Sequence, residues 1–150
     1  MRSPFLIGIL ILVCSVRPSG QMIGSCPPVA VRPPQKIKEL RGVVVDENLA
    51  VIPRVKVRLQ VRDGRDFCDI EVVETDPNGR FSFEDHTPGQ YRLVFKAFAG
   101  LCPATIPVSY SKEGLKGLRL TLPASATDTC PQYCESRLKI EEMTGREGRE

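Results

Sequence analysis

The chain has 150 residues, of which 21 are Lys or Arg and 18 are Asp or Glu, with a formal net charge of +3. Arg2 and Arg17 lie in an N-terminal segment without acidic residues, which leaves 19 basic residues against 18 acidic ones in the rest. This balance argues against a nucleic-acid-binding protein and against steering to an anionic membrane surface. The length suits one domain with a modest core.

The N-terminus has the pattern of a secretory signal. Arg2 precedes an apolar run from Phe5 to Val16. This run is shorter than the roughly 20 residues that cross a bilayer, and a basic residue before a short apolar run is typical of a signal peptide. We predict a signal peptide within residues 1–25, with cleavage after Gly20 or after Ser25.

Cleavage after Ser25 would produce a lipoprotein anchored to a membrane. Ile23-Gly24-Ser25-Cys26 loosely resembles a bacterial lipobox, with Cys26 as the lipidated residue. Residues 17–20 separate this motif from the apolar run, which argues against lipidation. Cleavage after Gly20 is therefore the favoured alternative.

A proline-rich segment precedes a long region of alternating apolar residues. Residues 26–38 contain four prolines and are predicted to be an extended linker. From residue 39 to 124, apolar residues recur with a period of two, as in half-buried strands. The first of the seven predicted strands spans Leu40 to Val45. The inward-facing residues of the other six are Val55, Val57, Leu59 and Val61; Ile70 and Val72; Phe81 and Phe83; Tyr91, Leu93, Phe95 and Ala97; Ile106, Val108 and Tyr110; and Leu118, Leu120 and Leu122.

These strands predict an all-β fold. Val73 breaks the alternation of the third strand, which indicates a β-bulge. A single layer would leave the apolar faces in water, so two sheets must pack face to face. The predicted fold class is a seven-stranded antiparallel β-sandwich over residues 39–124.

Two turn motifs flank the strand that contains Phe81 and Phe83. Asp76-Pro77-Asn78-Gly79 has Pro where a turn needs φ near −65° and Gly where it needs positive φ. Pro88-Gly89 repeats this combination before the next strand. Asp76 and Asn78 also offer oxygen ligands for calcium, but two such residues beside a Pro and a Gly are ordinary turn chemistry.

The composition changes after Pro123. Residues 125–150 are predicted to form a cysteine-containing, charged tail. Within it, Glu135 to Met143 could form a short helix, and residues 145–150 are predicted to be disordered.

Five segments together resemble a known family. They are Arg41-Gly42-Val43-Val44-Val45-Asp46, Val55-Lys56-Val57-Arg58-Leu59, Thr75-Asp76-Pro77-Asn78-Gly79-Arg80-Phe81-Ser82-Phe83, Pro88-Gly89-Gln90-Tyr91-Arg92-Leu93 and Gly117-Leu118-Arg119-Leu120-Thr121-Leu122. They are similar to carboxypeptidase regulatory-like domains of the prealbumin-like, carbohydrate-binding-like superfamily. The resemblance covers about residues 39–123 and implies a prealbumin-like sandwich. It also implies an accessory module that supports folding, mediates contacts or binds glycans.

Five cysteines remain after the signal peptide, and an oxidising compartment favours disulfides between them. If consecutive strands alternate in direction, Cys68 and Cys102 lie at opposite ends of the sandwich. A strand of about seven residues separates these ends by roughly 23 Å, whereas bridged Cα atoms lie within about 7 Å. The last strand ends at the Cys102 end of the sandwich, so we expect Cys102 to pair with Cys130 or Cys134. The first strand begins at the other end, so we expect Cys26 to lie nearer Cys68. A lipidated Cys26, a local Cys130–Cys134 bridge and a free thiol are alternatives for the odd cysteine.

The residues that could carry chemistry are few. His86 is the only histidine, so a zinc site at Cys130 and Cys134 lacks further ligands, and no metal or cofactor is predicted. We expect His86 to be solvated or paired with Asp85, and no Ser or Cys nucleophile lies in a catalytic motif.

The predicted function is therefore that of a binding module. We expect a non-enzymatic, secreted or periplasmic β-sandwich, or an envelope-associated one, that mediates protein or surface interactions. The alternative is a carbohydrate-binding accessory domain, which would need a row of exposed aromatic residues. The expected partner is a protein or a cell-surface glycan of unknown identity. Neither nucleic acid nor a transmembrane helix in the mature chain is expected.

Overall fold

A computed structural model describes residues 31–96, 100–125 and 131–143. In these ranges the chain forms nine strands and one helix. The strands are β1 (Gln35–Ile37), β2 (Arg41–Val45), β3 (Lys56–Asp63), β4 (Asp66–Glu74), β5 (Arg80–Ser82), β6 (Gly89–Phe95), β7 (Ala104–Tyr110), β8 (Leu118–Thr121) and β9 (Lys139–Glu142), and the helix is α1 (Pro131–Arg137). The predicted signal peptide, Cys26 and Cys130 lie outside the described residues.

The strands form two sheets, as predicted. The five-stranded sheet has the order β1-β7-β6-β3-β4, and the four-stranded sheet has the order β5-β2-β8-β9. The rings of Phe81 in one sheet and Phe95 in the other lie 5.5 Å apart between centroids. The interior is apolar, with Leu59, Ile106 and Leu120 fully buried. The predicted β-sandwich is confirmed.

The sheets are mixed rather than purely antiparallel, and the strand count exceeds the predicted seven. β1 pairs with β7 in parallel, and β2 pairs with β8 in parallel. The added strands are β1, within the predicted linker, and β9, within the predicted tail. Each has only three or four residues, too few to show a period of two beside prolines or charges. Ile37 of β1 is nevertheless fully buried in the core.

Strand β4 differs from its predicted orientation. Its pairing with β3 shifts between Leu59 and Gln60, because Leu59 lies opposite Glu71 while Gln60 lies opposite Asp69. Ile70 is therefore the extra residue of a β-bulge, and the predicted position at Val73 is wrong. Val73 packs against the core, whereas Ile70 and Val72 are exposed. A bulge reverses which side chains face inward, so simple alternation misassigned them.

The two predicted turns differ in geometry. Asp76 Oδ1 accepts hydrogen bonds from the amides of Asn78 and Arg80, each at 2.8 Å, and Gly79 has a φ of 72°. This is the predicted turn. Gly89, in contrast, begins β6, and the left-handed residue of the preceding loop is Asp85, with a φ of 60°.

The C-terminal segment is held against the sandwich. A disulfide joins Cys102, which follows β6, to Cys134 in α1. Arg32 binds the Glu135 side chain and donates to the Glu135 carbonyl at 2.6 Å. The predicted helix over 135–143 is wrong, because α1 ends at Arg137 and β9 then pairs antiparallel with β8. Among the described residues, the helix is too short to cross a membrane.

Candidate interaction edge

The longest strand at a sheet edge is β4. Each sheet has two edge strands, which are β1 and β4 in one and β5 and β9 in the other. β1 and β5 have three residues and β9 has four, whereas β4 has nine. An edge strand leaves one row of backbone N–H and C=O groups for another chain. The free side of β4 is therefore the most extended such row among the described strands.

Exposed apolar side chains accompany this row. Phe67, Ile70 and Val72 are 39%, 44% and 53% exposed, although large apolar side chains usually enter a core. The alternation in the sequence predicts that Ile70 and Val72 face inward, and their exposure contradicts that prediction. The four carboxylates of this strand are the sequence feature that could have indicated its exposure, since a buried strand rarely carries so many.

The direction of the backbone groups follows from the pairing with β3. The Thr75 amide donates to the Val55 carbonyl at 3.0 Å. Because hydrogen bonding alternates along an antiparallel pair, the backbone N–H and C=O of Val73 also point to β3, while those of Val72 and Glu74 point away from it.

The same direction continues beyond the bulge. Cys68 lies opposite Val61, and its backbone groups point to β3, so those of Phe67 and Asp69 point away from it. The free edge thus presents the backbone of Phe67, Asp69, Val72 and Glu74.

A polar network fixes the outer face of the sheet beside this edge. Arg92 donates to Gln60 Oε1 at 2.9 and 2.7 Å, and Gln60 donates to Asp69 at 2.5 Å. Arg58 donates to the second oxygen of Asp69 at 3.1 Å. Hydrogen bonds from Gln60 and then Arg58 lower the pKa of Asp69 from its ordinary value of 3.8.

The same network orients Phe67, because the Arg92 guanidinium lies 3.5 Å from the centroid of its ring. The edge therefore has a preorganised outer face, on which the Asp69 carboxylate is held by the Arg58 guanidinium and the Gln60 amide. Basic and acidic side chains alternate here, as the interleaved sequence indicated.

The histidine has a different environment from the predicted one. His86 Nε2 lies 2.6 Å from Glu71 Oε2, so its partner is Glu71 rather than Asp85. Its ring lies edge-on to those of Phe83 and Tyr91, and its side chain is only 18% exposed. These contacts join the β5–β6 loop to β4. The sequence could not reveal the pair, since the bulge alone turns Glu71 inward.

Metal-binding groups do not assemble in the described ranges. No cluster of three or more His, Cys, Asp or Glu side chains lies there in an arrangement suited to a metal ion. Asp76, considered above as a calcium ligand, uses one carboxylate oxygen for two backbone amides. It acts as a turn residue in this structure.

Cys68 and Cys102 lie at opposite ends of the sandwich, as the strand directions predict. Cys68 lies opposite Val61, which lies opposite Tyr91 at the start of β6, while Cys102 follows the end of β6. Cys102 pairs with Cys134, one of its two predicted partners, and a local Cys130–Cys134 bridge is therefore excluded.

Cys68 is an exposed free thiol. It lies in β4 itself rather than in the predicted connection between strands. The proximity of Cys26 to Cys68 and the lipidation of Cys26 fall outside the described residues.

Comparison with known proteins identifies a family for this chain. No curated protein sequence matches this chain significantly. Among solved structures, the chain is similar to the crystal structure of (S)-allantoin synthase, with a TM-score of 0.41 and 14% identity. The alignment covers 74% of this chain and 44% of that chain, so this chain spans less than half of the enzyme. A family model described as carboxypeptidase regulatory-like domain matches residues 39–127, more than half of the sequence. The chain therefore belongs to the carboxypeptidase regulatory-like domain family.

Proposed function

We propose that this chain is an exported, non-catalytic β-sandwich module that contacts another protein through the free edge of β4. The family supports the non-catalytic part, since carboxypeptidase regulatory-like domains are in general accessory modules. The N-terminal apolar run supports export to a secreted, periplasmic or envelope-associated location. The observation that carries the proposal is the nine-residue edge strand with exposed Phe67, Ile70 and Val72.

Exposed apolar side chains on an open sheet edge promote aggregation unless a binding partner covers them. An unprotected edge favours aggregation, and proteins usually restrict it with short strands, charges or bulges. β4 has charges and a bulge but keeps three large apolar side chains at its surface. This combination suits an edge that binds a particular partner better than an edge that is protected against all strand pairing.

The carbohydrate-binding alternative has less support. Binding along a glycan requires several exposed aromatic rings on one surface. In the described part of the chain, the large exposed aromatic residues are Phe67 in β4 and Tyr133 in α1. Arg92 already lies over the Phe67 ring. A glycan array that bound the intact protein strongly would favour this alternative over protein contact.

The test is site-specific photo-crosslinking in cells that produce the protein. A photoreactive amino acid replaces Val72, and a matched control places it at Lys112, an exposed residue between β7 and β8. We expect discrete protein adducts from position 72 and none from position 112. Equal adducts from both positions, or none from position 72, would contradict contact through β4. Fractionation that found the protein only in the cytoplasm would contradict export.

A further inference from the structure

The side chains of β4 follow one order on both sides of the bulge. Asp66-Phe67-Cys68-Asp69 precedes Ile70, and Glu71-Val72-Val73-Glu74 follows it. Each segment has a carboxylate at either end and two apolar or weakly polar side chains between them. The strand itself contains no basic residue, and basic side chains lie opposite it on β3 at Lys56, Arg58 and Arg62.

Four residues of β4 have their side chains on the outer face of the sheet. Side chains directly opposite each other in an antiparallel pair lie on the same face, so Phe67 lies with Arg62, and Asp69 lies with Gln60. Val72 and Glu74 lie on this face with Arg58 and Lys56. These four residues of β4 are also those whose backbone groups point to the free edge. A strand added here would place its own side chains directly against theirs.

The two carboxylates on the outer face differ in how closely they are paired within the chain. Lys56 reaches Glu74 at 3.8 Å, with both side chains more than half exposed. Such an exposed pair contributes little and leaves the carboxylate available. Asp69 binds Arg58 and Gln60, which keeps it ionised at the edge.

We propose that the β4 edge binds an extended segment of a partner protein in which two apolar residues lie between basic residues, paired with β4 backbone to backbone. This inference rests on the proposed function and names its partner chemistry. Backbone hydrogen bonds provide affinity in strand addition, and alternate side chains provide specificity. A basic residue opposite Asp69 or Glu74 and an apolar one opposite Phe67 or Val72 would match the exposed pattern.

A second copy of this chain fits the edge poorly. Pairing β4 with another β4 would bring four carboxylates on each strand together without a basic residue on either. Like charges across a strand pair are destabilising. The bulge at Ile70 also bends the edge, which opposes flat, unselective pairing. The bend does not prevent strand addition, since eight residues of β3 already pair with nine of β4.

The first test uses a synthetic peptide of eight residues, Lys-Val-Val-Lys-Lys-Val-Val-Lys, and the intact protein. Titration by NMR or fluorescence anisotropy measures its affinity against the matched peptide in which Glu replaces every Lys. We expect the Lys peptide to bind about tenfold more tightly or better, with an advantage that falls as salt increases. Equal affinities would overturn the charge requirement.

Backbone pairing is tested with N-methylated peptides. One version carries N-methyl groups at positions 3 and 5, and the other carries them at positions 4 and 6. Since alternate amides of a strand point to opposite sides, only one version should lose binding, by about tenfold or more. Equal binding by the two versions would show that contact does not use strand pairing.

A protein variant provides the reciprocal test. In Val72→Pro the lost N–H faces the free edge, a position where an edge strand tolerates Pro, whereas Val72→Thr keeps the amide. A thermal melt first confirms that each variant is folded. Val72→Pro should then reduce peptide affinity about tenfold, and Val72→Thr should bind within about twofold of the original. Equal binding would overturn the inference. If Val72→Pro does not fold, the N-methylated peptides decide.

The results separate the inference from the proposed function. Adducts from position 72 without peptide binding would show that β4 contacts a protein by another mode, and only the inference would be wrong. Neither adducts nor peptide binding would contradict both. A dimer in sedimentation that is lost in Val72→Pro and kept in Val72→Thr would identify a second copy as the occupant of the β4 edge and overturn the inference.

Discussion

Gly42 lies at a position in β2 where the neighbouring strands leave no room for a side chain. A Cβ atom there would come within 2.4 Å of the Leu118 carbonyl oxygen and 2.7 Å of the Phe81 ring. We expect Gly42→Ala to lower the free energy of unfolding by about 1–3 kcal/mol, the usual cost of overpacking. Gly89→Ala is the matched control, because its nearest contact would be an ordinary 3.6 Å. Chemical denaturation measures both, and equal losses would contradict this packing.

Asp69 gives stability a specific dependence on pH. Its pKa is lowered in the folded state by hydrogen bonds from Gln60 and Arg58. A lowered folded pKa contributes stability that is present above the unfolded value, 3.8, and lost as pH falls through the folded pKa. We expect Asp69→Asn to lower the thermal midpoint slightly at pH 7, because exposed pairs contribute little. The difference from the original protein should shrink below about pH 4.

Thermal melts across pH 2–8 test this dependence, with Asp66→Asn as the control on the same strand. Asp66 lies opposite Asp63 rather than beside the Arg58 and Gln60 donors. A difference between Asp69→Asn and the original protein that stays constant from pH 7 to pH 2 would contradict the assigned role of Asp69.

At the scale of elements, the disulfide between Cys102 and Cys134 holds α1 and β9 to the sandwich. It spans a sequence separation of 32 residues. Closure of a loop this long contributes about 3–4 kcal/mol in the chain-entropy model. We expect Cys102→Ala/Cys134→Ala to lose about that amount in chemical denaturation, whereas Cys68→Ala, at an exposed free thiol, should change little. An unchanged double variant would contradict a stabilising bridge.

The elements also show what the sequence could and could not predict. The strands around Leu59, Leu93, Ile106 and Leu120 were predictable, because their regular alternation faces a two-sheet core. β1 and β9 were not, since three or four residues carry no measurable period. The orientation of β4 was mispredicted, because its bulge reverses the inward side and its edge position follows only from the order of all five strands.

At the scale of the whole molecule, the core and the candidate site have separate causes. The alternating apolar residues produce the sandwich, and the family shares that arrangement. The edge depends on which strand is outermost and on what its outer side presents. We therefore expect the acidic residues along β4 to determine which partner binds, and the β4 backbone to provide the affinity.

Amide hydrogen exchange, followed by NMR on the intact protein with and without the Lys-Val-Val-Lys-Lys-Val-Val-Lys peptide, tests contact through β4 most directly. We expect rapid exchange at the amides of Phe67, Asp69, Val72 and Glu74 in the free protein, since they face the open edge. Saturating peptide should slow them by about tenfold or more, while the Thr75 amide, bonded to Val55, stays protected in both states. Unchanged exchange at those four amides, or slowing at β1, β5 or β9 instead, would contradict contact through β4.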